Sequence, residues 1–241
     1  DFKNYSRYNA PTFIPPYMAH VDPWWGETAA DNQFVTLAGD DALPELLIGR
    51  LAVNSPAEAA TVVDKIVRYE TSPALGDWNA RQIFVADDDE PDQYLFFHAD
   101  ADLGYSQVQA PFQGQRFYYG PGGASHIFSN VETLHTAFLN NFNYGAGLVT
   151  FHGHSSWLQW AREGILRHYP APYSGPDDLT EMRNQYRLPV VLQMTCFTGS
   201  FHRPEVATLD ESLLRLSGGG AVAVWGSTGL GVSTGHVSLQ S

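Results

Sequence analysis

Residues 147–201 contain two apolar runs, LVTF (148–151) and LPVVLQMT (188–195), and each run is followed by residues suited to chemistry. The first run leads into HGHSS (152–156) and the second into CFTG (196–199). Short apolar runs bounded by Gly and Pro are typical of strands buried on both faces of a parallel sheet. Reactive side chains in such sheets collect at the carboxyl ends of the strands. A histidine and the single cysteine of the chain, at two strand ends, therefore indicate a nucleophile with its base.

Capping boxes and apolar periodicity predict strands that alternate with helices along the whole chain. The predicted strands cover 46–51, 82–86, 116–119, 148–151, 188–195 and 220–225, and the predicted helices cover 56–69, 92–103, 129–141, 179–186 and 208–216. This alternation indicates a doubly wound α/β fold with a mainly parallel sheet and helices on both faces. We expect residues 1–80 to form an N-terminal wrap and smaller subdomain, and residues 81–241 to form the main subdomain.

Composition limits the classes of partner. The chain has 241 residues, 44% of them hydrophobic, and a formal net charge of −13. Nucleic acids and anionic membrane surfaces are bound through basic patches, so neither is an expected partner. No apolar run approaches the roughly 20 residues that cross a bilayer. The chain begins at Asp1 without Met or a signal peptide, so we expect it to be cut from a longer precursor, and its low lysine content with frequent Trp and Tyr favours an exported protein.

Two acidic stretches are candidate sites for a structural metal ion. Asp31, Asp40 and Asp41 cluster around a glycine, and residues 87–90 read DDDE directly after a predicted strand. Carboxylates in such loops are either solvated or serve as hard oxygen ligands for calcium. We expect no cofactor to be required for chemistry and keep structural calcium as a possibility.

The candidate chemical residues have alternative interpretations. A lone Cys such as Cys196 is often a packed core residue, although its position before a glycine-containing turn and the neighbouring histidine favour a nucleophile. His152 and His154 are spaced for one side of an extended segment and could form half of a zinc site. The sequence GHSSW (153–157) also approaches the Gly-x-Ser-x-Gly motif of serine esterases, with Ser155 as nucleophile. Trp157 stands where that motif needs the final glycine, while Asp210 and His236 follow Ser155 in the Ser, Asp, His order of that fold.

Several separated motifs, in the right order, resemble the gingipain family of cysteine peptidases, which has a caspase-like fold. The similarity extends from about Thr28 to Ser227. The motifs are Asp31-Asn32, Gly39-Asp40-Asp41, Ile48-Gly49-Arg50, Tyr69-Glu70, Gly153-His154-Ser155-Ser156, Leu188-Pro189, Cys196 and Gly199-Ser200-Phe201. The resemblance implies a cysteine endopeptidase that acts on proteins or peptides through an acyl-enzyme. It also implies that further domains or a propeptide of the same precursor are partners, and that the protein is secreted or lies at a bacterial cell surface.

Carried over residue by residue, the resemblance implies Cys196 as nucleophile, His154 as catalytic histidine and Asp89 as the acid that orients it. The backbone N–H groups of Ser155 and Cys196 would form the oxyanion hole. Ser155 replaces the glycine that the family has there.

For the substrate pocket, the resemblance implies His152 and Met194 as wall residues. Ser233 stands where the arginine-directed members have a tryptophan, and Asp92 is the candidate for the acid at the base of the pocket. These departures leave a catalytically inactive binding or surface module as an alternative to the peptidase. The segment 153–157 leaves a second alternative, the serine esterase that uses Ser155.

Overall fold

The computed structural model describes residues 13–41 and 43–232. Its strands in chain order are β1 (Met18–Asp22), β2 (Gly26–Ala29), β3 (Arg81–Ala86), β4 (Gln113–Tyr119), β5 (Ile127–Phe128), β6 (Leu148–His152), β7 (Gln159–Trp160), β8 (Leu166–Arg167), β9 (Val190–Met194) and β10 (Ala223–Trp225). Its α-helices are α1 (Pro56–Thr71), α2 (Phe97–Ser106), α3 (Val131–Tyr144) and α4 (Leu209–Arg215). None of the helices in these ranges is long and apolar enough to cross a membrane.

Six of the strands form one central sheet in the order β10-β9-β6-β3-β4-β5, and every neighbouring pair is parallel. Parallel neighbours need crossover connections, and α2, α3 and α4 lie in three of them. All six strands therefore end at the same edge of the sheet. Strands β6 and β9 lie side by side in the middle, with His152 paired with Met194.

The sheet is covered on both faces, as the side chains of β3 illustrate. Ile83 and Val85 pack in a large core with α3 and α4. Phe84 and Ala86 alternate with them and pack against α2 in a second core. Because successive strand side chains point to opposite faces, these two cores lie on opposite sides of the sheet. The predicted α/β class and caspase-like architecture are confirmed.

The N-terminal part of the described chain is attached to this unit by specific contacts. β1 and β2 form an antiparallel hairpin, and α1 packs on α4. The buried Lys65 of α1 donates from Nζ to the carbonyl oxygens of Leu213 (3.1 Å), Leu214 (2.8 Å) and Ala221 (3.3 Å). Its burial lowers the pKa of the Lys65 ammonium to about 7. The division of the chain at residue 80 stays a prediction.

The elements with strong local signals form where the sequence predicts them. Ser55 caps α1 by accepting from Glu58 N at 3.2 Å, and Glu211 accepts from Thr208 N at 2.8 Å at the start of α4. The cap of α3 is Asn130 and not the predicted Ser129, since Asn130 Oδ1 accepts from Thr133 N at 2.9 Å. A side chain at either position could reach the first turn, and only the backbone path distinguishes them.

Two predicted elements are wrong and a third begins later than predicted. Residues 46–51 form no strand, and the side chain of Leu47 is fully exposed. This stretch instead borders an apolar groove of about 590 Å³ together with residues near Phe13 and Phe201. The helix predicted over 92–103 starts only at Phe97, because a short 3-10 turn ends in a left-handed Tyr94 (φ 58°). The helix predicted over 179–186 is a single 3-10 turn, Asp178–Glu181.

Candidate active site

Adjacent central strands bring His154 and Cys196 to the same edge of the sheet. His152 of β6 is in register with Met194 of β9, and the two candidate residues each lie two positions further on. Neighbouring strands are about 4.8 Å apart, so the loops that follow them run side by side. The order of the strands therefore places the two predicted residues in neighbouring loops, as the sequence predicts.

Hydrogen bonds join the two loops. Thr195 Oγ1 lies 2.6 Å from Gly153 O and 2.7 Å from Ser155 Oγ. Cys196 N donates to Ser155 Oγ at 3.1 Å, and the Ser155 hydroxyl also contacts Cys196 O. A Cβ on Gly153 would lie 2.4 Å from Asp87 Cβ, so only glycine allows this close approach. The geometry of the nucleophile loop thus depends on the histidine loop.

The thiol of Cys196 is partly buried and faces a third loop. Gly231 N donates to Sγ at 3.4 Å, and Gly231 O lies 3.9 Å from Sγ. Burial raises the pKa of the thiol, the N–H of Gly231 opposes that effect, and the charge of Asp22 adds to the increase. In the free protein the thiol form is therefore favoured over the thiolate.

The carboxylate that lies at the His154 ring is Glu90 and not the predicted Asp89. The His154 side chain is 47% exposed, and its Nε2 lies 3.5 Å from Glu90 Oε2. The ring edge packs on Phe97 at 5.3 Å between centroids. Asp89, the predicted orienting acid, instead accepts from His98 N at 2.9 Å. The alignment of four consecutive acids cannot be fixed from sequence, and the structure places Glu90 at the ring.

Glu90 is held in place by its own turn. Its backbone pairs with Leu95 in both directions, at 2.9 and 3.1 Å, and Gln93 Nε2 donates to its carboxylate at 2.6 Å. Behind it, Asp87 Oδ2 accepts from His154 N at 3.1 Å. Burial raises the pKa of Asp87 to about 7 despite this hydrogen bond. Asp87 therefore positions the histidine backbone, while Glu90 contacts the ring.

The predicted pocket residues are dispersed. His152 and Met194 are buried at paired strand ends, 3% and 7% exposed, beneath the loops that carry the two candidate catalytic residues. Asp92 is exposed in the 3-10 turn Pro91–Gln93. Ser233 lies outside the described residues.

The predicted calcium ligands do not converge. Asp31 pairs with Arg50, with 2.6 Å between Oδ2 and Nε, and also accepts from Tyr17 N. Asp41 accepts from Leu43 N at 2.9 Å, and Asp40 is exposed. Among residues 13–41 and 43–232, the three acids whose oxygens approach within 4.8 Å of one another are Asp87, Asp88 and Glu163.

The serine esterase alternative gains no support. Within the described part of the chain, Ser155 Oγ contacts Thr195 and the backbone of Cys196 and no histidine ring. The candidate acid Asp210 is buried on Gln193, whose Nε2 donates to it at 2.5 Å. His236, the third member of that order, lies outside the described residues.

Sequence reasoning missed a wall of the site that comes from the β1–β2 hairpin. Asp22 accepts from Trp24 N and Trp25 N, at 2.9 and 2.8 Å, and from Leu230 N at 2.5 Å. It thereby ties the hairpin turn to the loop that contacts the thiol. The ring of Trp25 lies 5.2 Å from that of Phe197, the residue after the cysteine, which has a left-handed backbone (φ 56°). That strained φ in a bulky residue is the kind of signal that only coordinates provide.

Comparison with known proteins places this architecture. Lys-gingipain HG66 of Porphyromonas gingivalis is 22% identical over 236 residues, covering 94% of this chain and 12% of the relative. Gingipain R2 of the same organism is 23% identical over 179 residues, covering 71% of this chain and 22% of the relative. The chain therefore spans less than a quarter of the length of these relatives.

Two solved structures share the fold. The Arg-specific cysteine proteinase gingipain R (RGPB) superposes with a TM-score of 0.72 at 20% identity, over 92% of this chain and 48% of that one. The complex of Porphyromonas gingivalis RgpB pro- and mature domains gives 0.73 at 20% identity, over 92% and 49%. The family model of peptidase family C25 matches residues 1–241, so the chain belongs to peptidase family C25.

Proposed function

We propose that this chain is the catalytic unit of a cysteine endopeptidase in which Cys196 is the nucleophile and His154 the general base and acid. The observation that carries the proposal is the position of the two residues on adjacent parallel strand ends, joined by hydrogen bonds between their loops. Membership of peptidase family C25 supports the reaction class. Glu90 takes the orienting role that the resemblance implies for Asp89.

The reaction proceeds by acyl transfer. His154 accepts the proton of the Cys196 thiol, and the thiolate attacks the carbonyl carbon of the scissile peptide bond. The N–H groups of Ser155 and Cys196 donate to the oxyanion that develops. His154 then protonates the leaving amine, which leaves a thioester on Cys196. Water, deprotonated by His154, attacks the thioester, and the acid product departs as the thiol is reprotonated.

The raised pKa of the thiol fits this sequence of steps. A buried thiol next to Asp22 resists ionisation in the free protein. In the proposed mechanism His154 therefore has to remove the thiol proton as general base. Glu90, at 3.5 Å from Nε2, stabilises the imidazolium that results.

Substrates, location and metal are proposed more broadly. We propose proteins or peptides as substrates, and a basic residue before the cleaved bond with Asp92 as its partner. We also propose an exported protein whose precursor supplies further domains or a propeptide. Structural calcium remains part of the proposal at the acids that do approach one another, Asp87, Asp88 and Glu163, with no cofactor in the chemical step.

The test uses Cys196→Ala with Ser156→Ala as the matched control, since Ser156 lies in the same segment and its Oγ accepts only from Leu158 N within the described residues. Hydrolysis of a casein or peptide-library substrate should be lost in the first variant and kept in the second. Iodoacetamide should label wild type once, at Cys196, and abolish cleavage. Undiminished hydrolysis by Cys196→Ala would refute the mechanism.

The second candidate function is an inactive binding or surface module. The observation that favours it is the engaged N–H of Cys196, which has Ser155 Oγ as its acceptor. A library in which no peptide is cleaved, by a protein whose melting curve is cooperative, would favour this module. Cleavage mainly after uncharged residues would support the peptidase function but refute the proposed pairing of Asp92 with a basic substrate residue.

A further inference from the structure

The backbone N–H of Cys196 already has an acceptor, and that acceptor is a side chain. It donates to Ser155 Oγ over 3.1 Å. In the proposed reaction the same N–H has to donate to the substrate oxygen as negative charge develops there. A hydroxyl oxygen and an oxyanion cannot occupy one position. The position that the substrate oxygen needs is therefore filled by the side chain of the protein itself.

Two further contacts hold the Ser155 hydroxyl in this place. Ser155 Oγ contacts Cys196 O, and Thr195 Oγ1 lies 2.7 Å away while also lying 2.6 Å from Gly153 O. Each hydroxyl has a single proton. When Thr195 donates to Gly153 O and Ser155 donates to Cys196 O, the lone pairs of Ser155 Oγ accept from Cys196 N. Thr195 is 1% exposed, so packing restricts its rearrangement.

The second donor of the proposed oxyanion hole is not engaged in this way. Ser155 N has no acceptor within residues 13–41 and 43–232, whereas Ser156 N donates to Gln159 O and Ala161 N donates to His154 O. Ser155 is also absent from the non-glycine residues with a left-handed φ, so its backbone tolerates a side chain. One donor of the pair is therefore available to substrate and the other is covered.

We propose, on the basis of the peptidase function proposed above, that the Ser155 side chain is a gate on the oxyanion site. In the closed rotamer its hydroxyl covers the N–H of Cys196, and turnover requires rotation about χ1 to another staggered well. Rotamer exchange is fast compared with turnover, so the gate acts through the fraction of open molecules. Opening the gate costs the one or two net hydrogen bonds that the Ser155 hydroxyl makes in the closed rotamer. This free-energy cost corresponds to about a tenth or less of the molecules being open.

The alternative role for the same hydroxyl has the opposite sign. If Ser155 Oγ turned its proton towards the oxyanion, it would be a third donor and its removal would slow the reaction. Its present arrangement opposes this role, because its proton is directed to Cys196 O and its lone pairs face the N–H of Cys196. Substitution of Ser155 therefore distinguishes a gate from a donor by the direction of the effect.

The experiment compares wild type with Ser155→Gly and Ser155→Ala, with Ser156→Ala as control. An N-acetyl dipeptide argininal and the matching leucinal report on the oxyanion site, because addition of the thiol to an aldehyde forms a tetrahedral oxyanion. Iodoacetamide reports on the thiol alone, because alkylation forms none. We expect both Ser155 variants to bind the aldehydes and hydrolyse peptide substrates about tenfold better, while their alkylation rates stay within about twofold of wild type.

The outcomes separate the two levels of inference. The gate proposal would be refuted if the wild type hydrolyses peptides while both Ser155 variants bind the aldehydes equally well or more weakly than the wild type does. That result would leave the proposed peptidase function intact. If no protein in the set shows Cys196-dependent hydrolysis or aldehyde binding, although iodoacetamide labels the thiol, the peptidase function fails and the gate with it. Melting temperatures are measured for both variants, so that if one unfolds the other carries the comparison.

Discussion

Asp210 is a carboxylic acid that this fold keeps neutral up to about pH 7, and Asp210→Asn should reveal this as a pH-dependent difference in stability. The side chain is fully buried at the start of α4, and Gln193 Nε2 donates to its Oδ1 at 2.5 Å. Burial raises its pKa from 3.8 to about 7, against the opposing effect of the hydrogen bonds. The group lies beneath the cysteine loop, since Asp210 N donates to Thr198 O at 3.4 Å.

The magnitude follows from linkage. A pKa higher in the folded than in the unfolded state means that the folded protein binds the extra proton between those two values. The contribution of the protonated Asp210 carboxyl to stability is therefore complete below pH 4 and is lost as the pH rises to about 7. A shift of about three units corresponds to roughly 4 kcal/mol, as an upper figure. Asn has no proton to lose, so the stability of Asp210→Asn should not show this decrease as the pH rises.

Urea unfolding followed by far-UV circular dichroism at pH 4.5, 5.5, 6.5, 7.5 and 8.5 measures the effect. The quantity is the free energy of unfolding of wild type minus that of the variant, in which other titrating groups largely cancel. It should fall with pH up to about 7 and then level off. Asp64→Asn is the control, because Asp64 is a half-exposed partner of Arg68 and its removal should change stability by about 1 kcal/mol or less at any pH. A flat difference for Asp210→Asn, or one that rises with pH, would refute the reasoning.

Three further predictions concern the site and its surroundings. Glu90→Gln should lower kcat for peptide hydrolysis about tenfold or more, while Asp89→Asn should change kcat less. The reverse ranking in steady-state assays would return the orienting role to Asp89. Asp22→Asn should shift the pH profile of iodoacetamide labelling of Cys196 to lower pH, because it removes a charge that raises the pKa of the thiol; an unchanged or higher midpoint would contradict this. Millimolar calcium should raise the melting temperature relative to chelator if the acidic loops bind it, and superimposable melting curves would mean that they are only solvated.

Local signals in the sequence were sufficient for the main elements of the fold. The apolar runs that became β3, β6 and β9 need burial on both faces, and α1 and α4 carry their own caps. Those features depend on neighbours a few residues away, so the sequence alone expresses them. The motifs that resemble the gingipains also specified the family, which the match to peptidase family C25 confirms. The positions of His154 and Cys196 after adjacent strands follow from the same local pattern combined with the rule for parallel sheets.

Tertiary structure alone decided the remainder, because it depends on which distant segments meet. The apolar composition of residues 46–51 does not reveal whether another strand lies beside them, and within the described residues they pair with none. A run of four acids is chemically uniform, so only the backbone path selects Glu90 over Asp89 as the carboxylate at the histidine. Asp22 reaches Leu230 across 208 positions of the chain. The Ser155 hydroxyl covers the N–H of Cys196 because two loops, 41 residues apart, converge to hydrogen-bonding distance.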